Sequence, residues 1–209
     1  MNDTFITELF ATPVYISKIK KKFTQKELNF FKKSKLNLLN NEGNNSSKDS
    51  YILNNKELDN LNKELLKKIK DYFNKVLSST KDVEPYITQS WLNYTEKGQY
   101  HHKHAHPNSI ISGIFYINAD KKNDKVIFFK NHYQQIKLNV INYNNWNSET
   151  WCFPVETGKV MLFPSSLNHM VETKKGTNTR ISLSFNVFVK GNLGNERGLT
   201  ELLLKDKND

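Results

Sequence analysis

Residues 101–118 read HHKHAHPNSIISGIFYIN, a histidine-rich segment that runs directly into an apolar one. The apolar part, Ser109 to Asn118, lies between Pro107 and the polar turn Asp120 to Asp124. An apolar run bounded by turn signals is typical of a β-strand in a folded core. The segment therefore predicts a core strand with several imidazoles immediately before it.

Strand-like runs of this kind fill the chain from Pro85 onward. Short turn signals separate them, among them Glu96-Lys97-Gly98, Thr157-Gly158 and Lys174-Lys175-Gly176. Many short strands with regular turns indicate a sandwich or a barrel. The predicted strands are Tyr86–Tyr94, Ser109–Asn118, Lys125–Lys130, Ile136–Tyr143, Thr150–Phe153, Lys159–Phe163, His169–Thr173 and Arg180–Val189.

The chain before Pro85 has a short extended start and then a helical pattern. Apolar residues around Pro13 predict one or two short strands, with the proline at an edge or a bend. Thr24-Gln25-Lys26-Glu27 is a capping-box sequence that starts a helix. The residues that this helix is expected to bury are Leu28, Phe31, Leu36 and Leu39.

A second, longer helix is predicted from Asn55 to Leu77, because its apolar residues recur at three- and four-residue steps and form one stripe. Between the helices, residues 40–50 are polar and aperiodic, which predicts a mobile loop. The tail is predicted as a Gly/Asn loop, Gly191 to Gly198, followed by a short helix, Leu199 to Leu204.

The expected organisation is one domain, with a strand and helices in residues 1–84, a β core in 85–190 and a tail in 191–209. A length of 209 residues fits one domain that needs no disulfide or structural metal to fold. The single cysteine, Cys152, excludes an internal disulfide. Together with the lack of a basic-then-apolar leader, it predicts a cytoplasmic protein. No apolar run reaches the roughly 18 residues of a membrane span.

The net charge of +10 comes from lysines that are dispersed along the predicted helix faces, so we do not expect a nucleic-acid partner. Only two of the 31 basic residues are arginines, Arg180 and Arg197. In a chain that uses lysine almost everywhere, Arg180 is informative. Its planar guanidinium matches the geometry of a carboxylate, whereas an ammonium group does not.

The histidines offer a metal site. In a strand, residues i and i+2 point to the same face, so His104 and His106 project two imidazoles together. Imidazole is the usual nitrogen ligand for Fe, Zn, Cu or Ni. His102 and His104 have the same spacing, so the identity of the pair stays open. We favour His104 and His106, because they adjoin the core strand, and we expect His169 to be the third ligand.

Three stretches in combination resemble a bacterial and phage family of 2-oxoglutarate–Fe(II) oxygenases and, more distantly, prolyl hydroxylases. They are Trp91 to Tyr116 with its His-Ala-His-Pro motif, Phe163 to His169, and Arg180 to Asn186. The resemblance covers about residues 85–195. It implies a mainly β fold with flanking helices, namely a double-stranded β-helix (jelly-roll, cupin-like) with N-terminal scaffold helices.

The resemblance also implies a site. His104 and His169 correspond to metal ligands, and His106 stands where the wider superfamily has a carboxylate. Arg180 and Ser182 would bind the distal carboxylate of 2-oxoglutarate. Three further positions that the resemblance associates with this co-substrate are Tyr116, Tyr94 and Asn93, although both tyrosines can equally be core aromatics.

The implied function is oxidation, expected to be hydroxylation, of an unidentified small molecule or protein side chain. It consumes O2 and 2-oxoglutarate and releases succinate and CO2. Two alternatives stay open at this point. One is a three-histidine cupin-type metalloenzyme that does not use 2-oxoglutarate. The other is a jelly-roll binding module that uses Trp91, Trp146 and Trp151. By fold analogy with jelly-roll oxygenases, a homodimer is compatible with the oxygenase interpretation.

Overall fold

The computed structural model describes residues 4–131 and 136–204. Its helices are α1 Gln25–Ser34 and α2 Asp59–Tyr72, the second preceded by two 3₁₀ turns, Ile52–Asn54 and Lys56–Leu58, and continued by a π-helical turn, Phe73–Leu77. Its strands are β1 Tyr15–Lys18, β2 Leu38–Asn41, β3 Asn44–Ser47, β4 Glu84–Thr95, β5 His101–His104, β6 Ile111–Asn118, β7 Lys125–Phe129, β8 Thr150–Pro154, β9 Lys159–Pro164, β10 His169–Val171, β11 Arg180–Leu193 and β12 Leu202–Leu204.

The strands form two antiparallel sheets, so the jelly-roll prediction is confirmed. In the larger sheet the order is β1-β9-β6-β11-β4-β3-β2, and β12 pairs with the far end of β11. The smaller sheet has the order β5-β10-β7-β8. Apolar side chains of both sheets, such as Met161 and Phe128, meet in one core between them.

Alternation along β6 explains the layers. Phe115 and Ile117 point to the helices, whereas Ile114 and Tyr116 point into the space between the sheets. Position 113 has room only for glycine, because a Cβ there would lie 2.1 Å from the ring of Phe185 on the adjacent β11. The sheet is therefore buried on both faces, and polar residues that point between the sheets are enclosed.

The N-terminal helices form as the sequence predicts. Thr24 caps α1: its Oγ1 accepts a bond from the Glu27 amide (3.3 Å), and a Glu27 carboxylate oxygen accepts one from the Thr24 amide (2.8 Å). Phe31 of α1 is buried, and α2 buries Leu61, Leu65 and Ile69 against the larger sheet. The expected inward positions Leu28, Leu36 and Leu39 are exposed, since α1 ends at Ser34 and buries a narrower stripe.

The prediction of a mobile loop at residues 40–50 is wrong. This polar segment forms the hairpin β2–β3, whose turn uses Gly43 at φ 86°. Strand β3 pairs with β4 at Asn45–Tyr94 and Ser46–Asn93. The segment has no apolar periodicity because polar contacts hold it; for example, the Ser47 hydroxyl accepts a bond from the Leu92 amide (3.0 Å).

Two other predictions of secondary structure fail. The expected helix Leu199 to Leu204 is instead strand β12, which pairs with Gly191 to Leu193. The expected strand Ile136 to Tyr143 does not form, because these residues have no regular secondary structure. Among residues 4–131 and 136–204, no helix has the length and apolar character needed to cross a bilayer.

Candidate metal centre

Three imidazoles lie close together at the β5 edge of the smaller sheet. Strands β5 and β10 are antiparallel neighbours with His104 opposite His169, and the His106 amide is tied to the Ser165 carbonyl (2.9 Å) just before β10. The ring centroid of His104 lies 4.4 Å from that of His169 and 4.9 Å from that of His106. The candidate ligand atoms of all three rings lie within 4.8 Å of one another. The sequence-predicted trio is therefore assembled.

Local hydrogen bonds set the tautomers of two of these rings. Nδ1 of His104 lies 2.8 Å from the His102 carbonyl oxygen, and Nδ1 of His169 lies 3.1 Å from the Leu167 carbonyl oxygen. Because a carbonyl only accepts, Nδ1 carries the proton in both rings and the lone pair is on Nε2. A ring held in this way is prepared to ligate a metal through Nε2.

Burial keeps the trio uncharged. Desolvation lowers the pKa of His169 to about 3 and that of His106 to about 4, and it also lowers the pKa of His104. Neutral imidazole is the form that binds metal ions, so the site is competent at neutral pH.

The metal-free protein is expected to lose stability as pH falls from about 6.5 toward 3. Across this pH window the imidazole at position 169 binds a proton in the unfolded chain, whereas the buried His169 of the folded protein stays neutral. The free energy of unfolding therefore decreases on acidification, by about 2 kcal/mol at pH 5 for this ring alone. Thermal denaturation of metal-free protein at pH 7.5 and pH 5.0 measures the loss. His169→Ala should reduce the loss, and an unchanged loss in that variant would contradict the assignment.

A polar cavity extends from the trio into the space between the sheets. Its wall includes Arg180, Ser182, Tyr116 and Asn93. Adjacent strands bring these side chains together, because Ser182 of β11 is opposite both Tyr116 of β6 and Asn93 of β4. Four of the five predicted co-substrate residues thus line the same cavity as the three histidines. The enclosed space is narrow, about 20 Å³.

Several buried polar atoms facing this cavity have no hydrogen-bond partner within the described chain. They are the Tyr116 hydroxyl, the Asn93 Oδ1 and both side-chain amide atoms of Asn44. Buried polar groups are nearly always satisfied in native proteins, so a cluster of unsatisfied ones calls for a polar ligand. Burial also raises the pKa of Tyr116, which keeps its hydroxyl protonated and able to donate.

The prediction for Tyr94 is wrong. Successive residues of a strand point to opposite faces, so Asn93 faces the cavity and Tyr94 faces the helices. The Tyr94 hydroxyl donates to the Phe31 carbonyl oxygen at 2.7 Å. Tyr94 therefore ties α1 to the sheet and does not contact the site.

A buried ion cluster behind the cavity was missed by sequence reasoning. Asp124 is fully buried and lies 3.0 Å from Lys174 Nζ and 3.2 Å from Arg180 Nη1. Asp124 and Lys174 both occur in polar segments that predict surface turns, so nothing in the sequence signals their burial. The cluster combines two cations and one anion, and Glu96 and Asp120 add negative charge near Lys174.

Three further side chains line the cavity. Asn44, on the unpredicted hairpin, and His101 both line the cavity. Trp91 also lines it and stacks on His106, with ring centroids 5.7 Å apart. The other two tryptophans, Trp146 and Trp151, lie on a separate surface groove. The structure therefore does not assemble the three tryptophans into one binding surface.

Residues 89–186 match the family model described as "Putative 2OG-Fe(II) oxygenase". This segment contains the histidine trio, Arg180 and the paired strands that carry them. The matched segment is slightly less than half of the 209 residues, and the sequence similarity to the 2OG-Fe(II) oxygenase family is confined to it. No curated protein matches the chain by sequence.

Solved structures share the fold. A 2OG-Fe(II) oxygenase family oxidoreductase from Burkholderia pseudomallei is 15% identical, with a TM-score of 0.53 and 83% of each chain covered. HygX from Streptomyces hygroscopicus, solved with nickel, 2-oxoglutarate and hygromycin B, is 10% identical with a TM-score of 0.58, covering 84% of this chain and 82% of HygX. SnoK, an alpha-ketoglutarate-dependent carbocyclase from nogalamycin biosynthesis, is 11% identical with a TM-score of 0.58, covering 90% and 85%.

Proposed function

We propose that the protein hydroxylates a C–H bond of an unidentified substrate, with His104, His106 and His169 holding Fe(II). The observation that carries the proposal is the convergence of three neutral imidazoles and a buried arginine on one cavity with unsatisfied polar atoms. When bound, the iron and 2-oxoglutarate supply the oxidising chemistry, with O2 consumed and succinate and CO2 released. The chain supplies binding, orientation and exclusion of water.

Arg180 is proposed to bind the distal carboxylate of 2-oxoglutarate, with Ser182 and Tyr116 as further donors and Asn93 beside them. Arg180 is almost fully buried, so a carboxylate there is shielded from water and interacts strongly with it. Asp124 is shared between Lys174 and Arg180, so a co-substrate carboxylate would supply additional negative charge at Arg180. Because the cavity is narrow, the lining side chains must move apart when the dicarboxylate enters.

The site contains three imidazoles where the wider superfamily has two imidazoles and a carboxylate. A neutral ligand in place of a carboxylate leaves one more positive charge on the metal. We expect this charge to strengthen the attraction for the dianionic co-substrate and to raise the reduction potential of the iron.

Tyr116→Phe is expected to weaken 2-oxoglutarate binding about 10- to 100-fold, the effect of one lost hydrogen bond to a charged group. The same change should leave the ligand-free protein as stable as the wild type or slightly more stable, because the hydroxyl that it removes is buried without a partner. Isothermal titration and thermal denaturation measure the two effects.

The matched control for this experiment is Tyr94→Phe, which removes a buried hydroxyl from the same region. It breaks the bond to the Phe31 carbonyl, so it should lower stability by about 1 kcal/mol and leave 2-oxoglutarate affinity unchanged. If the two variants exchanged these phenotypes, the assignment of Tyr116 to the pocket would be wrong.

Asp124→Asn is expected to destabilise the protein by about 3–5 kcal/mol, because it leaves Lys174 and Arg180 buried without their anion. Added 2-oxoglutarate should recover part of this loss by providing a carboxylate for Arg180. The control is Glu172→Gln, which removes an acid from the exposed Lys125–Glu172 pair and should change stability by less than about 1 kcal/mol. Thermal denaturation with and without 2-oxoglutarate tests both; equal losses in the two variants would contradict the account.

We also propose that the protein acts in the cytoplasm on a small molecule or a protein side chain, without a nucleic-acid partner. Cys152 is exposed and free, which fits a reducing compartment. Eight lysines line one surface groove beside α2, but Glu64 lies among them and none of the lining side chains is an aromatic that could stack on a base. A homodimer is proposed by fold analogy, and its test is the mass in solution by light scattering.

A further inference from the structure

A second group of imidazoles adjoins the first on its outer side. The rings of His101, His102 and His104 have centroids 4.5–5.2 Å apart, and their candidate ligand atoms lie within 4.8 Å of one another. We call this group the outer trio and His104, His106 and His169 the inner trio. The two groups share His104, and the function proposed above gives no role to the other two members, His101 and His102.

The surroundings of the outer trio point to a cation. Nδ1 of His102 is buried and has no hydrogen-bond partner in the described chain, and the nearest carboxylate oxygen, that of Glu42, is 3.8 Å away. Asn41 lies beside the group, with its Nδ2 3.3 Å from Nε2 of His101. Three imidazole nitrogens with a carboxylate at the margin form a donor set suited to a divalent transition metal.

The two trios differ in access from solvent. The His102 side chain is 31% exposed, whereas His169 of the inner trio is 3% exposed. Both trios, however, need the same atom. His104 Nδ1 is engaged by the His102 carbonyl, so only the Nε2 lone pair remains for a metal ion.

We propose that the outer trio is a second binding site for a divalent transition-metal ion, and that its occupancy excludes that of the inner trio. One lone pair on His104 cannot ligate two ions, so the chain holds one metal ion at either position. An ion arriving from solvent meets the outer trio first. Excess metal that occupies the outer trio would therefore compete with correct loading of the inner one.

The test uses Co2+ alone, measured by equilibrium dialysis, and does not depend on any oxygenase activity. His169→Ala removes a ligand of the inner trio only, and the double change His101→Ala/His102→Ala removes ligands of the outer trio only. Each is made in the wild-type chain, and the two are then combined. Wild-type protein should bind one Co2+ per chain.

The expected result is that His169→Ala still binds one Co2+, with reduced affinity, and that adding the double change weakens binding at least about tenfold more. In the wild-type chain the double change should have little effect, because the inner trio is intact. Any of three results would overturn the proposal. The double change could have equal effects in both backgrounds, His169→Ala could lose all Co2+ binding, or the wild-type chain could bind two ions.

Folding of every variant is checked by its thermal transition. Where His169→Ala fails to fold, His106→Ala takes its place, because His106 also belongs to the inner trio only and is less buried. The same comparison of backgrounds then decides between one metal position and two.

Discussion

Replacing Arg180 with lysine is expected to weaken 2-oxoglutarate binding about 10- to 100-fold while Fe(II) affinity stays unchanged. Lysine keeps the positive charge but loses the planar pair of donors that matches a carboxylate. Each hydrogen bond to a charged group contributes roughly 1.5–3 kcal/mol, so loss of one good bond accounts for this range. The Asp124 contact would become an ammonium–carboxylate pair, so the buried charge balance is preserved.

The chain supplies its own control for this change. Arg197 is the only other arginine, and it lies exposed in the turn before β12. Arg197→Lys should leave 2-oxoglutarate affinity and stability within error of the wild type. Anaerobic calorimetric titration of both variants with 2-oxoglutarate, in the presence of saturating Fe(II), measures the difference. Wild-type affinity in Arg180→Lys would remove Arg180 from the co-substrate pocket.

His169→Ala is expected to lower succinate formation by at least about 100-fold, since loss of a ligand costs no less than the loss of a group that supports one. His169 is the most buried member of the inner trio, and it stands directly opposite His104 in the paired strands. Without His169, only His104 and His106 of the inner trio would remain to hold the ion, so the oxidising chemistry that it would supply should be lost. Succinate measured per chain over a fixed time gives the effect.

The neighbouring Asn168→Ala is the control for local disturbance of β10. Asn168 is partly exposed, and its contacts go to Asn131 on the surface. This variant should keep more than about half of the wild-type succinate formation, because surface changes away from a site rarely alter stability by more than about 0.5 kcal/mol. If both variants lost activity equally, the loss in His169→Ala would come from local disturbance of β10 and not from the missing imidazole.

The sequence predicts the β core well because its strands carry their own signal. The apolar run Ser109 to Asn118 and the alternating run Arg180 to Val189 are bounded by turns, and both form long strands, β6 and β11. His104 ends β5 and His106 follows two residues later outside the strand, yet the two imidazoles do lie together, and pairing of β5 with β10 brings His169 to them. The strongest predictions are therefore those that rest on backbone periodicity.

The failures have a common physical cause. The hairpin at Leu38 to Ser47 and the strand β12 exist because a sheet edge offers hydrogen bonds to them, and no local pattern encodes that edge. Burial of Asp124 depends on Lys174 and Arg180, both at least 50 positions away along the chain. Tyr94 was misplaced because sequence spacing does not state which face of β4 meets the cavity. Apart from β12, which pairs with residues 9 to 13 positions earlier, each of these errors concerns a partner that is distant in sequence.

The most direct test of the central claim is an anaerobic titration of the wild-type protein with Fe(II) and then 2-oxoglutarate, followed by visible absorption. If the inner trio and Arg180 form one site, a weak charge-transfer band of the iron–keto acid chelate should appear and saturate at one equivalent of each. The band should be absent in His169→Ala. Binding of Fe(II) to the wild-type protein with no band at saturating 2-oxoglutarate would contradict the shared site. That outcome would leave a three-histidine metal centre that does not use the co-substrate.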